Sequence, residues 1–459
     1  MVIVTKFGGT SVANGRNLEK VIDIILSNPA RRVNVMSAPG KRYSQDTKVT
    51  DMLIQMGQET VRGLGQPEYM EDIYRRFIDI TDHFEIESSF LVGLFESLDE
   101  AKNNVLSDRE EYLDGIKPYG EIIISEIIAG VLRKRGVDAQ VYRPEDIGMR
   151  TDGNFGNAKL KETSYEEIAA SLNPALEGSN RVIIVPGFYG IDEHGRYMTF
   201  QRGGSDLSGA ILANALDADL YENWTDSNGI KRAHPDVVEN PETIERLTYR
   251  EARELAYLGA EILHPDTLKP LIDKNIPLSV RNTFDPDQNG TYITATKEAN
   301  GYVVEGIAHN DRITAMYVEK TGMDEIVGYI ERLSSIFTEH GVSINQFTAA
   351  VDSISLTFAE GYNEQIESIN DRMVREGLVD NINGIRVEYD RSVVCVVGEG
   401  MSHTPGILGR LSTALASEGI NIETVSQASE ISIIFGLKTI DAKNAVKVLH
   451  NLYFPKSNM

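Results

Sequence analysis

The chain has 459 residues, more than one ordinary domain holds, and its 41% hydrophobic and 25% charged residues are a globular composition. A formal charge of −24 opposes partnership with nucleic acid or an anionic lipid surface, and any anionic substrate must be drawn in by a local basic cluster. The single cysteine, Cys395, lies in the apolar run 393–397; disulfides and cysteine zinc clusters are excluded, and it reads as a core thiol.

Residues 1–10 lack the charged start and apolar core of a signal peptide, and no apolar run is long enough to cross a membrane. A soluble cytoplasmic protein with no membrane partner is therefore expected. The first element is a short apolar strand, Val2-Ile3-Val4, running into Lys6-Phe7-Gly8-Gly9-Thr10-Ser11-Val12. Leu18, Val21, Ile22, Ile25 and Leu26 then follow at helical spacing. Glycines clear the space in which backbone N–H groups can face an anion, the following helix adds its positive end, and Lys6 is a point charge. The same pattern also fits a tight turn with an exposed lysine.

Residues 32–37 read as a second strand, and 59–114 as a helical insert without evident chemistry. Gly120-Glu121 opens an apolar helix through Leu132. Strands over 139–142, 181–186 and 219–224, with a helix over 206–216, continue an alternation that argues for a parallel sheet covered by helices. Thr248-x-x-Glu251 is a capping box. Residues 276–280 read as the last strand of this domain, and 283–289 as its exit. Beyond it the chain repeats: Gly341-Val342-Ser343-Ile344-Asn345 returns 78 positions later as Gly419-Ile420-Asn421-Ile422-Glu423. Each copy reads as a ferredoxin-like βαββαβ unit, which suits either regulation or dimerisation.

A second glycine-rich turn, Arg202-Gly203-Gly204-Ser205-Asp206, also opens a helix. Arg202 can grip a carboxylate and Asp206 can pair with an ammonium, whereas the plain alternative is a surface arginine and an N-cap. In an open parallel sheet such turns gather at the carboxyl ends of the strands. Other motifs fail: the third glycine of a dinucleotide fingerprint starting at Gly398 falls on His403, and Thr163 stands where a calcium loop starting at Asp152 needs glutamate. No metal-ligand set stands out, and His264 reads as structural.

At these residues the chain resembles the aspartate kinases of the amino-acid kinase family. Residues 6–12 match their opening motif, 202–206 their second motif, and Thr225-Asp226 with Gly229-Ile230 their nucleotide loop. Arg281-Asn282-Thr283 fits their domain exit, and the repeat resembles their paired ACT domains. The resemblance implies an open, mainly parallel sheet sandwiched by helices over 1–300, an insert at about 59–118, and ACT domains at 301–390 and 391–459. It implies ATP-dependent phosphorylation of L-aspartate to 4-phospho-L-aspartate, with Mg²⁺, feedback by lysine, threonine or both, and a homodimer or dimer of dimers. A glutamate acyl-phosphate kinase and a non-catalytic amino-acid sensor are the alternatives. Carried over by position, Lys6, Gly8, Gly9 and Asp206 are catalytic, and Ser37, Thr50, Glu121, Phe155, Arg202, Ser205 and Asp206 bind aspartate. Ser11, Thr225, Asp226, Lys231 and Arg232 join Lys6, Gly8 and Gly9 at the nucleotide, while Met323, Ser343, Asn345 and Thr348 form the inhibitor pocket. The family's Tyr and Asp-Pro-Arg are replaced here by Lys231 and His234-Pro235-Asp236, its lysine by Glu261, and Asn345 stands for an aspartate. Lys231 or Arg232 is expected to restore the missing positive charge.

Overall fold

A computed structural model describes residues 1–64, 67–201, 203–258 and 264–455, the side chains of Pro67 and Ala428 apart. The chain divides into two compact units. The first is built from Met1–Ile230, Thr243–Tyr257 and the residues up to Ala299; the second takes Lys231–Glu242 and the chain from Asn300 onward.

The first unit opens with β1 (Ile3–Phe7), α1 (Gly15–Ser27) and β2 (Val33–Met36), followed by a run of helices. These are α2 (Val49–Val61), α3 (Pro67–His83), α4 (Val92–Asn103), α5 (Arg109–Ile116) and α6 (Tyr119–Lys134). Next come β3 (Ala139–Val141), α7 (Pro144–Ile147), α8 (Thr163–Leu176), β4 (Val182–Pro186) and a small hairpin, β5 (Tyr189–Ile191) with β6 (Tyr197–Thr199). The unit closes with α9 (Gly204–Ala215), β7 (Leu220–Thr225), β8 (Arg246–Thr248), α10 (Tyr249–Tyr257), α11 (Pro265–Lys274), β9 (Leu278–Asn282) and β10 (Thr291–Thr294).

Eight strands lie in the order β3-β4-β2-β1-β7-β9-β10-β8, all pairs parallel except β9 with β10. β1, β2 and β4 are buried at every position, as strands covered on both faces must be. The insert is not an appendage: Leu53, Phe77, Leu98 and Tyr112 share one buried core with Leu18 and Ile22 of α1 and Ile124 of α6. The capping box forms as read, with Thr248 N–H donating to Glu251 (2.9 Å) and Glu251 N–H to Thr248 Oγ1 (3.3 Å).

Two local readings need correction. The helix after the first glycine turn does not begin there: a 3₁₀ turn, Gly9–Val12, intervenes, and α1 starts at Gly15 because Asn14 caps it by accepting from Asn17 N–H. Nor is β9 the last strand. The chain turns back through Gly290, at φ 68°, where a Cβ would meet Val280 O at 1.9 Å, and β10 pairs with both β9 and β8.

The second unit is one antiparallel sheet with helices. Its elements are β11 (Gly306–Glu319), α12 (Tyr329–Glu339), β12 (Gln346–Ala349), β13 (Ser353–Ala359), α13 (Asn363–Arg375), β14 (Ile385–Val397), α14 (Ile407–Ser417), β15 (Thr424–Ser429), β16 (Ser432–Lys438) and α15 (Thr439–Tyr453). The strand order is β12-β13-β11-β14-β16-β15. The two repeats share their long strands. Residues 313–319 of β11 pair with β13 of the first copy, while 306–310 pair with 393–397 of β14, in the second. The division expected at 390/391 thus falls inside β14. Its two ends serve two cores, one around Phe337 and Phe358, the other around Leu411 and Phe435.

Under the first sheet, Arg31 and Glu222 form a buried ion pair (Nε to Oε2, 2.7 Å), and Trp224 Nε1 donates to the same oxygen (2.9 Å). Removing one partner of such a pair strands a buried charge, which costs about 3–5 kcal/mol. Glu222→Ala should therefore lower the unfolding free energy of this unit by about that amount. Trp224 is the only tryptophan, so its fluorescence in a urea titration reports this unit directly.

Candidate active site

The geometry begins at the carboxyl end of β1. Parallel register sets Lys6 beside Asn223 of β7. The Lys6 ammonium lies 2.5 Å from Asp206 Oδ1 and 3.5 Å from Asn223 Oδ1, and Asn223 Nδ2 donates to the same Asp206 oxygen (3.0 Å). A lysine 8% exposed is thereby aimed, rather than left to sweep solvent.

Two loops close on this point. Gly40 N–H donates to Gly9 O (2.8 Å), and a Cβ on Gly9 would stand 2.8 Å from Ala38 O, so the turns after β1 and β2 touch backbone to backbone. Gly203, at φ 81°, caps α9, where a Cβ on Gly204 would meet the Phe188 ring at 2.8 Å. Between these loops lies a cavity of about 490 Å³. Lys6, Gly9, Ser37, Thr50, Glu121, Ser205 and Asp206, separated by up to two hundred positions, all line it. Lys48 and Phe188 line it too, and neither was singled out in the sequence. Phe188 has φ 78°, a conformation that a bulky residue rarely adopts and that clusters at functional sites.

Glu121 is the most perturbed group in the cavity. It is buried, and its Oε2 has no hydrogen-bond partner among the described residues. Burial lifts its pKa from the ordinary 4.5 to about 8, although the N–H groups of Ala38 and of Glu121 itself pull the other way. A carboxyl in this state is a receptor for a cation: an ammonium group brought to Oε2 would satisfy the atom and restore the charge.

The remaining predicted residues sit elsewhere. Gly8 N–H donates to Trp224 O (2.9 Å), and buried Ser11 bonds Thr283 (2.7 Å), so both brace the turn. Phe155 lies in a loop beneath the Arg196 guanidinium (5.0 Å from the ring centre) and is not in the cavity wall. Thr225 and Asp226 end β7, bonded to each other. Lys231 falls in the second unit, where burial lowers its pKa. Arg232 is engaged within the protein. It is buried in the second unit, donating to Glu305 O (2.9 Å) and pairing with the Glu305 and Glu242 carboxylates. Tyr302 and Phe454 take its faces at 3.8 and 4.6 Å. Met323 lines a separate cavity of about 320 Å³; Ser343, Asn345 and Thr348 do not. Arg202 and Glu261 lie outside the described residues.

Known proteins were compared with this arrangement. A model of the amino acid kinase family matches residues 1–282, and an ACT domain model matches 394–453. Aspartokinase 3 of Bacillus subtilis is 35% identical over 454 residues, 98% of each chain. The chain belongs to the amino acid kinase family, in its aspartokinase branch. Among solved structures, Escherichia coli aspartokinase III in complex with aspartate and ADP superposes with TM-score 0.82 at 26% identity, over 99% of this chain and 100% of that one. The same enzyme with lysine and aspartate gives 0.76 at 26% identity, over 99% of each chain. As an aspartokinase this protein is a phosphotransferase with regulatory ACT modules.

The Glu121 environment predicts a pH dependence of stability. A carboxyl whose folded pKa is raised from 4.5 to about 8 contributes stability that is whole below 4.5 and is lost as pH rises through 8. Glu121→Gln removes that slope. Urea titrations followed by Trp224 should find the variant increasingly more stable than wild type from pH 5 to 9, by up to about 5 kcal/mol.

Proposed function

We propose that the first unit transfers the terminal phosphoryl group of ATP to the β-carboxylate of L-aspartate, and that an amino acid bound to the second unit restrains it. The observation that carries this reading is one cavity lined by an oriented Lys6, a buried cation receptor, Glu121, and two glycine turns.

The chemistry needs little from the protein. A β-carboxylate with an ordinary pKa of about 3.9 is already ionised at neutral pH. Its oxygen attacks the γ-phosphorus while the bond to the ADP oxygen breaks, giving an acyl phosphate and ADP; no proton moves. Lys6 and the Gly9 backbone offset charge on the transferring oxygens, and Ser37, Thr50 and Ser205 supply hydroxyls to the amino acid. Glu121 receives its ammonium. If Mg²⁺ accompanies the nucleotide, Asp206 would offer it a hard oxygen donor, and the ion would neutralise charge on the phosphates.

For regulation, the cavity of about 320 Å³ in the second unit is bounded by Met323, Asp324 and the start of α12 after Gly328. A helix start suits a carboxylate and Asp324 an ammonium, which is the signature of a free amino acid. Lysine, bound in the E. coli relative, and threonine are the candidates. Exposed Phe347 and Val351, at the β12 edge, support pairing of two copies through this unit, as a homodimer or a dimer of dimers. The single buried cysteine supports a cytoplasmic setting.

A hydroxamate assay tests the reaction: product with ATP and aspartate but not glutamate is expected, and Lys6→Ala should lower kcat by about 10²–10³-fold. Product with glutamate instead would select the other acyl-phosphate kinase, and none with either would leave a sensor. Aspartate binding at pH 7 should also release a proton, because its ammonium ionises Glu121. Calorimetry in two buffers of different ionisation enthalpy should detect that release in wild type and lose it in Glu121→Gln.

A further inference from the structure

The helical insert places no side chain in the wall of the substrate cavity, yet one of its residues reaches beneath the loop that does. Arg76 of α3 has a side chain only 3% exposed. Its Nη1 donates to Gly40 O (2.9 Å), and its Nη2 donates to the two oxygens of Asp46 (3.0 and 2.9 Å) and to Thr47 O (3.1 Å). Asp46 is gripped from its other side by Arg42, through the backbone N–H (2.8 Å), Nε (2.9 Å) and Nη2 (3.0 Å). The loop between β2 and α2 is thus closed by one carboxylate between two guanidinium groups.

Both ends of this loop belong to the cavity. The Gly40 peptide that accepts from Arg76 donates through its own N–H to Gly9 O (2.8 Å). A Cβ on Gly40 would lie 2.6 Å from the Gly9 carbonyl carbon, so the two turns have no slack. At the other end, Thr47 precedes Lys48 and Thr50, both in the cavity wall. We infer that Arg76 is a positioning residue for the transfer, holding the 40–48 loop against the Gly9 turn so that the phosphate side and the amino-acid side of the cavity keep their spacing. A lysine could hold Asp46 but could not also fork to two carbonyl oxygens. Displacing a reacting group by about 1 Å costs on the order of 10²-fold in rate.

This inference rests on the kinase reading above, and the experiment separates the two. Arg76→Ala, Arg76→Lys and Arg75→Ala are assayed beside wild type with ATP and aspartate. Arg75 is the control, exposed on the same helix and paired, among the described residues, only with Glu71 and Asp72. Arg76→Ala should lose about 10²-fold in kcat/KM for aspartate, Arg76→Lys less, and Arg75→Ala nothing. A second cavity, of about 480 Å³ and lined by Arg42, Arg76 and Asp79, gives a small cation access to the vacated space. Millimolar methylguanidinium should therefore restore part of the Arg76→Ala rate, with no effect on wild type or on Arg75→Ala and no rescue by urea. A rate within twofold of wild type in Arg76→Ala overturns the inference, as does a loss that methylguanidinium leaves unchanged. If Arg76→Ala does not fold, Arg76→Lys decides, and wild-type kcat/KM in that variant overturns it. An inactive wild type would sink the kinase reading instead.

Discussion

The structure of the first unit depends on holding one ammonium group still at the centre of a sheet. Lys6 stands at the end of the strand that has parallel neighbours on both sides, so its environment is set by register and not by its own loop. Asn223 is delivered by the adjacent strand, Asp206 by the helix that packs across it, and the two are bonded to each other as well as to the lysine. A flexible side chain in solvent would give up about 2 kcal/mol of rotamer entropy to be fixed in this way. Here that ordering is made on folding, before any substrate arrives. Such pre-placement is what a transfer reaction without a general base requires, because positioning and charge are all the protein contributes.

How much of this could be read from the sequence follows from which interactions are local. The glycine turns at 8–9 and 203–204 were legible because a strand, a glycine pair and a helix are contiguous, and the capping box at Thr248 was legible for the same reason. Asn223 was not: its partner is 217 positions away, and nothing in the run Tyr221-Glu222-Asn223-Trp224 marks one polar residue as facing Lys6. Glu121 was assigned by resemblance, but its raised pKa comes from burial by elements scattered along the chain, which no spacing encodes. Phe155 was carried over by position and Arg232 was expected to restore a missing charge, and each has partners that neither reading specifies. Arg196 covers the first; Tyr302, Phe454 and Glu305 enclose the second. The tandem repeat announced two modules, but the repeat period is blind to the exchange of strand halves between them.

That exchange bears on regulation. A segment of the nucleotide region, Lys231–Glu242, belongs to the second unit, where Ala233, Val237 and Val238 join its core and Arg232 O accepts from Ile307 N–H (2.7 Å). The residues on either side belong to the first unit, where Ile230 O accepts from Ile244 N–H (2.8 Å) and Ile230 N–H donates to Thr291. The chain therefore passes between the units twice within a short stretch, and both passages are anchored by backbone hydrogen bonds. Ile307 sits on β11, the strand that also runs through the first ACT copy and ends at Glu319, close in sequence to Met323. β11 is thereby hydrogen-bonded, within the second unit, to the segment that follows Ile230.

The charge balance sets the last constraint. With a formal charge of −24 the protein repels both of the anions its family joins, so recognition cannot rest on the overall field. The cavity of the first unit is lined by local groups: Lys6, paired and buried, exposed Lys48, and the glycine turns. Acid residues inside the same cavity are then not a contradiction. Asp206 aims Lys6, and burial raises the pKa of Glu121, which disfavours its negative form. A cavity wired this way distinguishes a zwitterion from a plain dicarboxylate by charge as well as by shape. The acid that receives the ammonium is silent until that group is present.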